Sequence, residues 1–369
     1  MFEVNPEIIS RSVIYRAAEP TFAYNGWPSV CIDENGVLYA VCSFGRIAHV
    51  CPFGKTGLFK STDRGKTWSE PFVINDTVLD DRDAGIVYLG GGKMLVTWFC
   101  HPAEMYKTDF YNWMKEDTTA DEFKAISEKL DSYAGATESA KLGGSFIRIS
   151  EDYGKTWGET VRVPISSPHG PNVLKDGSLI YLGKEMYSQN CEMPEKSGII
   201  AAYKSTDSGK SWVRTGELHK PENTRWGNFH EPHIVELPNG RLLGAIRGEG
   251  REVPNGFTIY FTHSDDGGNT WSEWQNNGIC GSPPHLLLHS SGAVVCSYGR
   301  RSEPYGERAA ISTDNGDSWN GEYIFDSARD DDLGYPGSVE LADGSILSVY
   351  YQKIDTDEKC SILCTNWKF

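Results

Sequence analysis

Carboxyl and phenol side chains recur at a fixed distance from six glycines in this sequence. The glycines are Gly36, Gly92, Gly177, Gly240, Gly292 and Gly344, and nine residues before them stand Trp27, Asp83, Pro168, Glu231, Pro283 and Tyr335. A carboxylic acid can donate or accept a proton during catalysis, and a phenol becomes a nucleophile when a neighbouring carboxylate takes its proton. Asp83, Glu231 and Tyr335 are therefore candidate catalytic residues.

A second set of side chains, most of them cationic, follows the same glycines by seven to ten residues. Its members are Arg46, His101, Lys184, Arg247, the pair Arg300 and Arg301, and Tyr351. Guanidinium groups bind carboxylates through two parallel hydrogen bonds, so the arginines are candidate contacts for an anionic substrate. The alternative is that these groups pair with one another and only provide the polar lining of a channel.

The elements that must position these residues are six hairpins and a repeated turn. Each hairpin is an apolar strand, a turn with its glycine and a second apolar strand, as in EPHIVELPNGRLLGAI. A strand pair ends at the edge where it began, so both sets of polar side chains share one rim. The repeated turn is Ser-x-Asp-x-Gly-x-Thr/Ser-Trp, which occurs at 61–68, 150–157, 205–212, 264–271 and 312–319. Its Asp and hydroxyl groups can accept hydrogen bonds from turn N–H groups, and its glycine supplies a positive φ.

Six hairpins that alternate with five turn motifs predict an all-β fold, a six-bladed β-propeller with four strands in each blade. The absent sixth motif is explained if a strand at 8–16 joins one at 361–367 to complete the last blade and close the ring. The first two motifs are 89 residues apart, against 48 to 59 for the later ones. The extra residues in the first interval predict an insertion at about 103–140 in blade two, with a helix over 118–133. This insertion is either a surface excursion or a wall beside the site, within a single domain spanning 1–369.

Composition limits the classes of partner. The formal net charge is −16 and the pI is near 5.0, which disfavours a nucleic-acid partner because phosphate binding needs clustered cations. The nine cysteines have no repeated spacing, so we expect reduced thiols and neither a metal site nor a cofactor. The N-terminal sequence has no signal-peptide pattern, and no apolar run is long enough to span a membrane. The expected location is the cytoplasm, or outside it if a leader was removed, and the oligomeric state stays open.

Two hairpins and the repeated turns together resemble the sialidase (neuraminidase) superfamily. FHEPHIVELPNGRLLGAIR resembles the family segment in which a Glu precedes an Arg across one hairpin, which marks Glu231 and Arg247. YPGSVELADGSILSVYY resembles the segment that opens with the tyrosine nucleophile, which marks Tyr335. The resemblance implies a retaining exo-α-sialidase that needs no cofactor and removes terminal sialic acid from glycoconjugates, so the expected partner is a sialylated or other anionic glycan.

The sequence departs from the family pattern at two places in blade one. The family motif Tyr-Arg-Ile-Pro is replaced by Gly26-Trp27-Pro28, so the first carboxylate-binding arginine is absent there, and Trp27 is a candidate substrate contact. Arg46 keeps a family position, but the acid/base Asp that should follow it is missing from IAHVCPFG. His49 in that stretch and Asp83 in blade two are the two alternatives for the general acid.

The identity of the substrate-binding arginines is also open. Arg82 beside Asp83 is one candidate, and the third family arginine is ambiguous among Arg300, Arg301 and Arg308. These departures leave two alternatives to a sialidase. One is another glycoside hydrolase or lyase on the same propeller with different sugar specificity, and the other is a propeller that binds glycans without catalysis.

Overall fold

The protein is an all-β, six-bladed β-propeller, as predicted. The computed structural model describes residues 1–187 and 198–369, and its strands form six sheets arranged in a ring. Strands are numbered in chain order, and the innermost strand of each blade contacts that of the next blade. Blade one consists of β3 (Tyr24–Ile32), β4 (Leu38–Arg46), β5 (Lys55–Ser61) and β6 (Phe72–Asn75). Blade two consists of β7 (Arg82–Gly90), β8 (Lys93–Cys100), β9 (Gly144–Ser150) and β10 (Val161–Val163).

The remaining blades repeat the same antiparallel order from the channel outwards. Blade three has β11 (Asn172–Val173), β12 (Leu179–Lys184), β13 (Ile200–Ser205) and β14 (Val213–Glu217). Blade four has β15 (Phe229–Glu236), β16 (Leu242–Glu249), β17 (Phe257–Ser264) and β18 (Gln275–Asn276). Blade five has β19 (Pro284–Leu288), β20 (Val294–Arg300), β21 (Gly306–Ser312) and β22 (Asn320–Ser327), and the short β1 (Glu3–Val4) pairs with its outer edge.

Blade six closes the ring in the predicted way. It consists of β23 (Gly334–Glu340), β24 (Ile346–Lys353), β25 (Cys360–Lys368) and the N-terminal β2 (Glu7–Tyr15). β2 pairs antiparallel with β25, from Glu7 opposite Lys368 to Tyr15 opposite Ile362. Because β2 is the outermost strand of the blade that the C-terminal strand also builds, the two ends of the chain hold one sheet together.

The five repeated turns form the predicted hydrogen-bonded loops between the outer strands. In the first, Asp63 accepts from Ser61 Oγ at 2.8 Å and from the Thr67 N–H at 2.9 Å. Gly65 there has φ +80°, and a Cβ on it would lie 2.3 Å from Leu347 of the preceding blade. Only glycine fits that contact, because the turn both needs a positive φ and presses on the neighbouring blade.

The insertion in blade two contains four short helices between β8 and β9. They are α1 (Ala103–Lys107), α2 (Tyr111–Glu116), α3 (Ala120–Ser132) and α4 (Glu138–Lys141), and α3 corresponds to the predicted helix over 118–133. α3 begins where Thr119 and Glu122 form a reciprocal capping box, which satisfies two otherwise free backbone N–H groups. In the described parts of the chain, no helix is long and apolar enough to cross a membrane.

Three histidines lie in the central channel, and we call His169, His233 and His285 the channel histidines. All three are buried, and the rings of His233 and His285 stack with centroids 4.3 Å apart. Burial lowers the pKa of each imidazole below its ordinary value, to about 3 for His233. They are therefore neutral near pH 7. Across residues 1–187 and 198–369, no group of three or more His, Cys, Asp or Glu side chains is placed to hold a metal ion.

Candidate functional site

Four rim residues adopt an unusual backbone conformation at equivalent points of their blades. Trp27, Asp83, Glu231 and Tyr335 have φ between 49° and 54°, and the register of each innermost hairpin shifts at or beside them. A left-handed φ is costly for residues other than glycine, and a bulge of this kind turns a side chain away from the sheet plane. The four bulges therefore direct four side chains to the same rim. Proline follows three of the four residues, a signal that sequence analysis had not used.

Tyr335 and Glu231 form a hydrogen-bonded pair across the rim. The Tyr335 hydroxyl donates to Glu231 Oε1, and Arg247 Nη1 lies 2.5 Å from Glu231 Oε2 and 3.2 Å from Tyr335 Oη. The other Arg247 nitrogen, Nη2, binds Glu249 at 2.5 Å. The pair is therefore a phenol and a carboxylate that share one guanidinium.

The protonation of this pair follows from its surroundings. Burial would raise the pKa of Glu231, but Arg247 and the Tyr335 hydroxyl outweigh it and hold that pKa below its ordinary value. Burial, together with the charge of Glu231, raises the pKa of Tyr335 well above its ordinary value. At rest the proton is on the phenol, and a proton acceptor already hydrogen-bonds to it.

Of the three arginines that sequence analysis left ambiguous, Arg301 is the one near Tyr335. Its guanidinium carbon lies 5.7 Å from the Tyr335 ring centroid, and its Nη2 donates to Tyr351 at 3.1 Å. Arg300 instead pairs with Glu322 at 2.7 Å. Arg308 is buried and donates to backbone carbonyls, including that of Asp326 at 2.9 Å.

Trp27 packs against two arginines in the part of the rim formed by blades one and two. The guanidinium carbons of Arg46 and Arg82 lie 4.5 and 4.1 Å from its ring centroid. Arg46 is fully buried and pairs with Asp80 through both of its terminal nitrogens, so its charge is compensated by that carboxylate. Arg82 also pairs with Asp80, at 3.3 Å, and donates to the His49 carbonyl at 3.0 Å, and its side chain is 8% exposed at the rim. The role of Asp80 could not be predicted from the sequence, because its pairing with Arg46 joins two blades.

Asp83 and His49 differ in the proton that each can hold. The side chain of Asp83 is 7% exposed, and its Oδ1 has no hydrogen-bond partner in the described chain and lies 4.0 Å from Arg82 Nε. Burial raises the pKa of Asp83 to about 7; Arg82 opposes the shift and the charge of Glu231 adds to it. Burial lowers the pKa of His49, although the Asp332 carboxylate favours its charged form. Near neutral pH, Asp83 is therefore partly protonated and His49 is neutral.

The surroundings of His49 were not predicted. Its Nδ1 lies 2.7 Å from Tyr24 Oη and 3.1 Å from Asp332 Oδ1, and Tyr24 Oη also donates to Asp332 at 2.8 Å. Because the Tyr24 hydroxyl donates its hydrogen bond to Asp332, both neighbours of His49 Nδ1 act as acceptors, so we assign the ring hydrogen of neutral His49 to Nδ1 and the lone pair to Nε2. His49 also contacts the edge of Trp27, at 5.2 Å between ring centroids.

The two other cationic rim positions are held by neighbouring side chains. Lys184 Nζ donates to the Phe229 carbonyl at 2.7 Å and lies 3.0 Å from His230 Nδ1, and burial lowers its pKa to about 8. His101 hydrogen-bonds to the Tyr187 hydroxyl. The rim therefore brings together a phenol, two carboxyl groups and three arginines, which are Arg82, Arg247 and Arg301. The other three candidate arginines are bound by protein groups away from Tyr335; they are Arg46, Arg300 and Arg308.

A family model, the BNR repeat-like domain, matches residues 132–349, which is more than half of the chain. The chain belongs to this family. Its fold is a sialidase-like propeller, in agreement with the resemblance. No curated protein sequence matches the chain.

Solved structures share this fold at low sequence identity. A protein of unknown function from Dyadobacter fermentans has a TM-score of 0.75 and 22% identity, with 98% of each chain covered. A variant of the NanB sialidase from Streptococcus pneumoniae has a TM-score of 0.70 and 14% identity, covering 99% of this chain and 71% of that one. The intramolecular trans-sialidase from Ruminococcus gnavus has a TM-score of 0.64 and 17% identity over 97% of both chains. An α-L-arabinanase from Penicillium chrysogenum has a TM-score of 0.59 and 15% identity, covering 98% of this chain and 99% of that one. The fold is therefore not restricted to sialidases.

Proposed function

We propose that this protein is a retaining exo-glycosidase that cleaves terminal sialic acid, with Tyr335 as the nucleophile. The observation that supports this most strongly is the hydrogen bond from the Tyr335 hydroxyl to Glu231 beneath the Arg247 guanidinium. A sugar that carries a carboxylate on its anomeric carbon repels an anionic nucleophile, whereas a neutral phenol can approach it. Tyrosine nucleophiles are known for sialidases among glycosidases, so the residue type agrees with this substrate class.

The reaction would proceed in two displacements. In the first, Tyr335 Oη attacks the anomeric carbon, its proton passes to Glu231, and Asp83 gives a proton to the oxygen that leaves with the rest of the glycan. In the second, Asp83 takes a proton from water, the water oxygen attacks the anomeric carbon, and the phenolate leaves and recovers its proton from Glu231. Two inversions retain the configuration of the released sugar.

Three arginines are available for the substrate carboxylate. Arg247 and Arg301 flank Tyr335 from blades four and five, and Arg82 approaches from blade two. Each guanidinium lies in a site with little water, where a charge-assisted hydrogen bond contributes more than at the surface. Their positive charge also favours the phenolate that forms during attack.

Trp27 supports a second candidate, a glycosidase for a different acidic sugar. The motif that contains it, Gly26-Trp27-Pro28, lacks the arginine that the resemblance requires. Trp27 is fully buried and packs against Arg82, so Arg82, Arg247 and Arg301 would bind the carboxylate in an arrangement that differs from the one the resemblance implies, and a different acidic sugar could fit it.

Both candidates are tested by the release of free sugar from a panel of aryl glycosides. The panel contains an α-sialoside, a uronide and matched neutral sugars, and the anomer formed first is identified by NMR. Release of α-sialic acid supports the first candidate, and preferential release of the uronic acid supports the second. Binding of glycans without any release would contradict both and favour a non-catalytic glycan-binding propeller.

A further inference from the structure

A cavity opens beside the Tyr335 site, between blade six, blade one and the insertion. It has a volume of about 870 Å³, which is within the range of ligand pockets. Tyr24, His49 and Asp332 lie at its base, and the end of α2 and the start of α3 form one wall. The opposite walls are the segment before β3 and the turn between β24 and β25. We call this cavity the insertion cleft.

The walls of the insertion cleft are joined to each other. Lys359 Nζ donates to the Thr21 carbonyl at 2.7 Å and pairs with Glu122 at the start of α3. Arg16 pairs with Asp357 at 2.5 Å across the segment before β3 and the blade-six turn. One lysine thus connects three separate parts of the chain, so the cleft is a built cavity and the insertion is a wall of the rim.

The insertion cleft carries an excess of negative charge. Six carboxylates line it, those of Glu116, Asp117, Glu122, Asp332, Asp357 and Glu358. Three cations line it with them, Arg16, Lys353 and Lys359, and each of these pairs with an acidic side chain. The rim around Tyr335 has the opposite character, with three arginines. The two regions adjoin at His49, which contacts Trp27 on one side and lines the cleft on the other.

We propose that the insertion cleft binds the leaving-group part of the substrate and selects an uncharged, hydroxyl-rich glycan there. This proposal rests on the proposed function and names the substrate class more closely. A terminal acidic sugar is held by the arginines, and the next sugars extend past His49 into the cleft. The lone pair on His49 Nε2 accepts a hydrogen bond from a sugar hydroxyl, whereas a carboxylate at that place meets three more carboxylates than cations and is repelled. The protein therefore cuts one acidic sugar from a neutral chain and acts poorly on chains of acidic sugars.

The test compares three substrates with the same terminal acidic sugar. One has a neutral disaccharide as leaving group, one has a disaccharide that carries a carboxylate, and one has a small aryl group. We expect wild-type kcat/KM to favour the neutral disaccharide over the anionic one by about tenfold or more at low salt, and less at high salt. In the double variant Glu116→Lys, Asp117→Lys that ratio should fall by about tenfold. Both positions are exposed at the C-terminal end of α2, where cations suit the helix dipole.

The control is Glu128→Lys, an exposed residue of α3 that does not line the insertion cleft. It changes the net charge in the same direction and should leave the ratio unchanged. An unchanged ratio in the double variant, or an equal change in the control, would overturn the proposal while aryl glycoside cleavage still supports the proposed function. If the wild-type protein cleaves no aryl glycoside, the proposed function itself fails and the inference fails with it.

Discussion

Replacing Asp83 by Asn tests the assignment of the general acid. An amide cannot donate the proton that the leaving oxygen needs, but it has nearly the same size and suits the same buried place beside Arg82. His49→Gln is the matched variant, because His49 is the other residue that the sequence offered for this role. The two substitutions therefore compare two donors at one rim.

The size of the effect follows from the environment of Asp83. With a pKa of about 7, the carboxyl is about nine-tenths protonated at pH 6 and about one-tenth protonated at pH 8. General acid catalysis contributes about 10²–10⁴-fold to substrates with poor leaving groups. We therefore expect Asp83→Asn to lower kcat/KM by that factor for an alkyl glycoside at pH 6, and to remove the decline in activity between pH 6 and pH 8.

The assay compares an alkyl glycoside with a nitrophenyl glycoside of the same sugar across this pH range. A nitrophenolate leaves without a proton, so Asp83→Asn should slow formation of the glycosyl-enzyme from that substrate far less than from the alkyl glycoside. His49→Gln should show no such difference between the two leaving groups. If Asp83→Asn slows both substrates equally and His49→Gln slows only the alkyl glycoside, the reasoning from the pKa of Asp83 is wrong.

Three further outcomes are expected. Tyr335→Phe should fold normally, by circular dichroism, and lose several orders of magnitude in turnover; wild-type turnover would remove the nucleophile. Arg247→Ala should weaken the binding of a planar carboxylate inhibitor by about 1.5–3 kcal/mol and that of a neutral analogue much less. The control is Arg300→Ala, which should leave the affinities for both inhibitors close to those of the wild type. The channel histidines are neutral in the folded protein but become protonated in the unfolded chain below about pH 6.5. The free energy of unfolding should therefore fall as the pH drops below about 6.5, by about 2 kcal/mol at pH 5 for His233 alone. His285→Phe should flatten the decline of Tm with acid, and parallel Tm profiles would contradict this.

The rim could be predicted from the sequence because a propeller repeats its geometry. Counting nine residues back from a turn glycine places Asp83, Glu231 and Tyr335 at equivalent points, and the four bulges preserve that equivalence. The count needs no knowledge of side-chain contacts. It depends only on hairpin length, which the glycines mark.

Contacts between blades could not be predicted in this way. Arg46 and Arg82 look alike in sequence and both pair with Asp80, yet the Arg46 side chain is fully buried whereas that of Arg82 stays partly exposed at the rim. Arg300 and Arg301 are neighbours in the chain and point in different directions, so the choice between them depends on the phase of β20. Tyr24 and Asp332 are joined across 308 residues, and no local pattern reports such a pairing.

The pairing of β2 with β25 also determines when this protein can finish folding. Glu7 pairs with Lys368, so an early strand must wait for nearly the whole chain before its partner is made. Until then β2 is an unpaired strand, and such edges invite pairing with another chain. Blade six is thus the blade whose completion needs the largest separation along the chain, and we expect it to be the last to form.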